Sequence, residues 1–86
     1  MKTVYKYEVP SMDCTVRLPK GAKLLTLKLQ RGTLNLWALV DPACAELEDR
    51  HILIVGTGWD VEDTMRYITT YFDEYFVWHA FELIKE

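Results

Sequence analysis

Three tryptophans, Trp37, Trp59 and Trp78, offer flat faces on which a base can stack, and Lys20, Lys23 and Arg31 offer positive charge for phosphate. Gly56-Thr57-Gly58 is a run whose backbone an anion can approach closely. It lacks the strand–glycine–helix surroundings and the lysine of a phosphate loop, so as a motif it describes a turn equally well. Trp59 follows this corner directly and is the foremost candidate for stacking. Trp78 lies in an aromatic stretch where core or interface is its ordinary use.

The residues that catalyse or bind metals are sparse. His51 and His79 are the only histidines, and neither has the spacing of a metal ligand. A His79–Glu82 pair on a strand points its two side chains to opposite faces, and Cys44 sits beside acids that disfavour its thiolate. Cys14 and Cys44 lie thirty positions apart and read as ordinary reduced thiols. The expectation is a chain that is not an enzyme, with no metal and no cofactor.

Charge separates along the chain. Residues 1–37 carry seven lysines and arginines against two acids, a balance of +5, whereas residues 38–86 carry three against eleven, a balance of −8. Such asymmetry suits an anion held by the basic half, head-to-tail contacts between subunits, or simple solvation of exposed strand faces. The net charge of −3 argues against general affinity for duplex DNA. Eighty-six residues, half of them apolar, make one domain over 1–86, small enough to favour self-association. No apolar run approaches a membrane span, and the alternating start is unlike a signal peptide, so the expectation is a cytosolic protein with no membrane partner.

Alternation defines the elements that must position these residues. Thr3 to Glu8 and Cys14 to Leu18 read as strands, the second closed by a turn at Pro19-Lys20-Gly21. Leu25, Leu27 and Leu29 share one strand face, and Arg31-Gly32-Thr33 turns the chain into Leu34–Val40, where Trp37 faces away from the leucines. Ala43 to Arg50 reads as a polar loop or one helical turn outside the core. His51–Val55 is a strand, and Asp60–Arg66 has the capping pattern of a short helix. Tyr67–Phe72 and Tyr75–Leu83 read as a C-terminal hairpin, with one helix over Val61–Phe76 as the competing assignment. The fold expected is mainly β, with α+β as an option. It is a single small antiparallel sheet or sandwich-like domain of about six short strands with at most one short helix.

Four segments, 2–8, 18–25, 36–42 and 54–58, resemble in order and spacing a family of small bacteriophage proteins catalogued as a domain of unknown function. Beyond Gly58 the likeness thins, because the family pattern has His-Pro where this chain has Trp59-Asp60. Proteins that look like this include phage sponges, which assemble as oligomers and hold cyclic-nucleotide or cyclic ADP-ribose-type signals of bacterial defence systems without cleaving them. The resemblance implies a non-catalytic anti-defence protein in the host cytoplasm, a homo-oligomer, with a tetramer as one option, whose ligand sites lie at or near subunit interfaces. The candidate ligand residues are Trp59, Trp37, Gly56, Thr57, Gly58, Lys20, Lys23 and Arg31. The alternative is a small β-rich interaction module that inhibits a host protein, and a structural virion component is a third option.

Overall fold

The computed structural model describes residues 1–84. Seven strands follow one another: β1 Thr3–Glu8, β2 Asp13–Pro19, β3 Lys23–Gln30, β4 Thr33–Val40, β5 Leu47–Gly56, β6 Met65–Phe72 and β7 Val77–Leu83. All pairings are antiparallel, in a three-stranded sheet ordered β1-β4-β3 and a four-stranded sheet ordered β2-β5-β7-β6. One core joins the inner faces. Leu27, Leu36, Ala38 and Val40 come from the first sheet, and Val16, Leu18, Ile52, Ile54, Tyr71 and Ala80 from the second. The mainly β, sandwich-like expectation is therefore met, with seven strands in place of about six and no helix among the described residues.

The period-two pattern places these residues. On β4, Leu36, Ala38 and Val40 are buried while Trp37 and Leu39 point to the opposite face, half-buried. The β3–β4 hairpin has Arg31 and Gly32 as its two loop residues, at φ 53° and 80°, between the paired Gln30 and Thr33. Positive φ at both positions matches the twist of the flanking strands, and it costs a non-glycine residue about 1 kcal/mol at Arg31. The turn after β2 closes with the Ala22 amide donating to the Pro19 carbonyl at 3.1 Å, with Gly21 at φ 80°.

Three expectations need correction. Leu25 does not share the face of Leu27 and Leu29, because a bulge between Leu24 and Thr26 leaves it out of the ladder, while Leu27 and Leu29 stay in phase opposite Leu36 and Leu34. Leu27 is buried, while Leu25 and Leu29 are each 40% exposed. The stretch read as a polar loop over 43–50 instead supplies the start of β5 from Leu47, and Arg50 points inward with Ile52 and Ile54. Asp60–Arg66 forms no helix. It is a connection in which the Met65 amide donates to the Glu62 carbonyl at 3.0 Å. The expected C-terminal hairpin is met by β6 and β7, and the competing helix over Val61–Phe76 does not form, since β6 pairs through the Thr and aromatic residues that disfavour a helix.

A second bulge, between Tyr67 and Thr69 on β6, lies where the two sheets approach each other at their edges. There Thr26 Oγ1 of β3 and Thr69 Oγ1 of β6 are 3.3 Å apart. Paired bulges bend both strands and cover two sheet edges that would otherwise be open to another chain. No helix of the described residues is long and apolar enough to cross a membrane.

Candidate functional site

Each sheet has an outer face, and the two differ in kind. On the three-stranded sheet, register sets Lys6 and Thr26 on either side of Trp37, Glu8 and Lys28 on either side of Asn35, and Val4 and Lys23 on either side of Leu39. Trp37 thus lies half-buried in a row of cations that continues to Arg31 at the hairpin tip. Among the described residues, Lys6, Lys23, Lys28 and Arg31 have no ion-pair partner, whereas Arg17, Lys20, Arg50 and Arg66 all do. Unpaired cations on one sheet face keep their full charge available to an incoming anion.

The tip of that face is hollowed. Lys6, Glu8, Gln30, Arg31, Thr33 and Asn35 line a shallow depression of about 600 Å³. Lys6 Nζ donates to Gln30 Oε1 at 2.9 Å across the central strand, and Asn35 Nδ2 donates to the Thr33 carbonyl at 3.0 Å. Asn35 is 94% buried, so its amide is fixed at the floor of the hollow. The group holds cations for phosphate and an amide and hydroxyl suited to base edges, with an indole one register position further along the sheet.

The Trp59 corner is built differently. β5 ends at Gly56, and the Trp59 amide closes the turn onto the Gly56 carbonyl at 3.1 Å, with Gly58 at φ 90°. The Trp59 indole folds back over Gly56, where an added Cβ would lie 3.0 Å from Cε2. The glycine makes room for the protein's own ring. Trp59 meets Trp78 edge to face at 5.8 Å, and Phe76 lies 5.5 Å from Trp78. Trp78 Nε1 donates to Asp73 Oδ2 at 2.6 Å, and Asp73 Oδ1 accepts from the Tyr75 and Phe76 amides. The Trp78 hydrogen bond, with these amides, holds the Asp73 carboxyl below its ordinary range. The resulting hollow of about 480 Å³ is lined by Gly56, Thr57, Trp59, Tyr75, Phe76, Val77 and Trp78, with no cation among them.

The structure distributes the residues singled out from sequence over separate places. Trp59, Gly56 and Thr57 come together in the aromatic corner, with Gly58 in its turn. Trp37 and Lys23 share the outer face of the three-stranded sheet, and Arg31 stands at its tip. Lys20 lies apart, its Nζ 3.3 Å from Glu46 Oε2. Lys6, Lys28, Gln30 and Asn35 were not singled out. Their signal was phase: each is out of step with the buried Leu27 and Leu36 and so shares a face with Trp37.

A third group was also missed. Arg50 grips Glu82 through Nε and Nη2 and donates through Nη1 to the Ala22 carbonyl at 2.8 Å, while Arg66 Nη2 reaches Glu82 Oε1 at 3.0 Å. Glu48 Oε1 accepts from Arg50 and from the Gly21 amide. Burial alone would push the Glu82 carboxyl up, but hydrogen bonds and charge from Arg50 and Arg66 outweigh it and hold the group below its ordinary range. These ties join β5, β6 and β7 to the β2–β3 turn. Two arginines balance two glutamates, so the cluster is a closed structural network and leaves little charge for a ligand.

His79 and Glu82 do lie on opposite faces of β7. No group of three or more His, Cys, Asp and Glu side chains suited to a metal ion occurs among the described residues. Cys14 and Cys44 are free thiols.

A family model described as a domain of unknown function (DUF7352) matches residues 1–86, and the chain belongs to that family. No curated protein and no solved structure matches the chain.

Proposed function

We propose that this DUF7352 member binds a phosphate-bearing nucleotide ligand on the outer face of its three-stranded sheet and holds it without cleaving it. The observation that carries this is a set of four cations without ion pairs: Lys6 beside the half-buried Trp37, Lys23 and Lys28 one register position to either side, and Arg31 at the hairpin tip of the same sheet. Stacking on Trp37 would supply about 1–3 kcal/mol, and contacts from the cations would fix the phosphates. Arg31 supports the reading independently, since a cation occupies a left-handed turn position that Asn or Gly would take without strain.

The resemblance of residues 2–58 to a family of small bacteriophage proteins, whose look-alikes include phage sponges, supports a cyclic-nucleotide or cyclic ADP-ribose-type immune signal as the ligand. Sequestration needs only tight binding and abundant protein, because bound signal is withdrawn from its receptor by mass action. The protein would then act in the host cytoplasm as a non-catalytic anti-defence protein. Calorimetric titration with a panel of cyclic di- and trinucleotides and cyclic ADP-ribose isomers tests this. The expected result is one tight ligand, recovered chemically intact. No binding across the panel, or recovery of linear products, would overturn it.

A further inference from the structure

The corner between the end of β5 and the β6–β7 turn carries rings and acids without a cation to balance them. Trp59, Tyr75, Phe76 and Trp78 line its hollow of about 480 Å³, a size that suits a small molecule. Trp59 is 57% exposed, Phe76 59% and Tyr75 80%, so these rings are open to solvent at the hollow's rim.

The rings stand as separate walls. Trp59 and Trp78 meet at 84° and Phe76 leans on Trp78 at 44°, so their faces do not merge into one stack. Two of the walls are set before any ligand arrives. Gly56 lets the Trp59 indole seat against the backbone, and Trp78 Nε1 is tied to Asp73 Oδ2 at 2.6 Å. A hollow already in its bound shape loses little freedom when it is filled.

Charge selects the occupant. The segments that supply the rings, 56–63 and 70–79, contain Asp60, Glu62, Asp63, Asp73 and Glu74 and no lysine or arginine. None of these acids forms an ion pair among the described residues. His79, the one basic group in the two segments, is held between the Thr57 and Thr70 hydroxyls. The Asp73 carboxyl, held below its ordinary range first by the Trp78 hydrogen bond, stays ionised at neutral pH. A carboxylate on the indole N–H polarises that ring, adding electron density to a face that already attracts cations. An anion is repelled here, and a neutral apolar molecule leaves the acids unused.

The kind of cation follows from the hydrogen bonds. A primary ammonium brings three N–H donors that need acceptors. The Asp73 oxygens already serve three donors, the Tyr75 and Phe76 amides on Oδ1 and the Trp78 indole on Oδ2, and ring faces are poor substitutes. A quaternary ammonium has no N–H group to satisfy. Its methyl groups bury against the rings while its charge meets their negative faces.

We infer that the hollow of Trp59, Tyr75, Phe76 and Trp78 is an aromatic cage for a small quaternary ammonium ligand of the choline type, one carrying no anion of its own. This site lies apart from the Trp37 face and does not rest on the nucleotide proposal.

Titration of choline into the full chain, followed by tryptophan fluorescence and calorimetry, is the experiment. Choline should saturate the protein with a Kd on the order of a millimolar or tighter. Its neutral carbon analogue, with a tert-butyl group in place of the trimethylammonium, should bind about tenfold more weakly or worse, because the cation–ring attraction is gone. Ethanolamine and phosphocholine should also be weaker, the first for its N–H donors and the second for its phosphate. In the wild type, choline should shift the indole N–H resonances of Trp59 and Trp78 and leave that of Trp37 in place. Trp59→Leu, folded by circular dichroism, should lose binding. Absence of saturable choline binding overturns the inference, and so does equal affinity for the neutral analogue, which would mark an apolar hollow only. A folded Trp59→Leu that binds as the wild type does, or a choline shift confined to Trp37, overturns it as well.

Discussion

Trp37 and Trp59 are the same side chain in opposite electrical settings. Trp37 stands among lysines that form no ion pair, with Glu8 the one acid on their face. Trp59 folds over its own backbone, against Trp78, with Asp73 engaged beside it. Trp59 is the more exposed indole at 57% and Trp37 is half-buried, so what favours Trp37 for a phosphate-bearing ligand is the neighbouring charge. The corner's rings pack on one another, which suits a role in closing the end of the sandwich.

The strongest way to break the comparison is to remove what both regions rest on. Glu82→Ala leaves two arginines without their buried counter-charge and should cost about 3–5 kcal/mol in urea denaturation. Acid should act the same way. Because the folded Glu82 carboxyl is held below its ordinary range, its contribution is full above the unfolded value and disappears as pH falls through the folded one. A melting temperature that stays flat as the solution is acidified would contradict this role for Glu82.

Charge on the Trp37 face is the next test. Lys6→Ala with Lys28→Ala should weaken ligand binding by about tenfold or more, on the scale of ~1.5–3 kcal/mol for hydrogen bonds to charged groups, and should flatten its salt dependence. Lys20→Ala should do neither, since its charge is already matched by Glu46.

Arg31 sharpens the contrast because fold and function pull apart there. Arg31→Asn should raise stability by up to about 1 kcal/mol by relieving the left-handed turn, while lowering ligand affinity. A variant that gains neither stability nor loses affinity would remove Arg31 from the account.

The smallest effect is expected in the corner. Asp73→Asn should change tryptophan fluorescence, because the Trp78 indole loses its charged acceptor, and should leave ligand affinity as it was.

Much of the fold was legible because period two is a strong signal. Thr3–Glu8, the Arg31-Gly32 hairpin and the outward direction of Trp37 follow directly from alternation and turn chemistry. Bulges were not legible. Leu25 and Ile68 are the extra residues on β3 and β6, and each shifts the phase between the side chains before it and those after it, so an unbroken pattern misplaces Leu25 while Leu27 and Leu29 keep one phase. Arg50 and Glu82 were hidden because charged residues are expected outside, although the phase of Ile52, Ile54 and Ala80 placed both within. The basic face was only partly legible. Its lysines come from β1 and β3, which are joined only through β4, and their convergence on Trp37 required the strand order.

The central claim is that the ligand lies against Trp37. Calorimetric titration of one bound cyclic nucleotide into Trp37→Ala and Trp59→Ala, both checked for folding, tests it most directly. The account predicts that Trp37→Ala loses about 1–3 kcal/mol of binding, the stacking contribution of one base, while Trp59→Ala binds as the wild type does. Unchanged affinity in Trp37→Ala, together with loss in Trp59→Ala, would move the site to the aromatic corner and contradict the account.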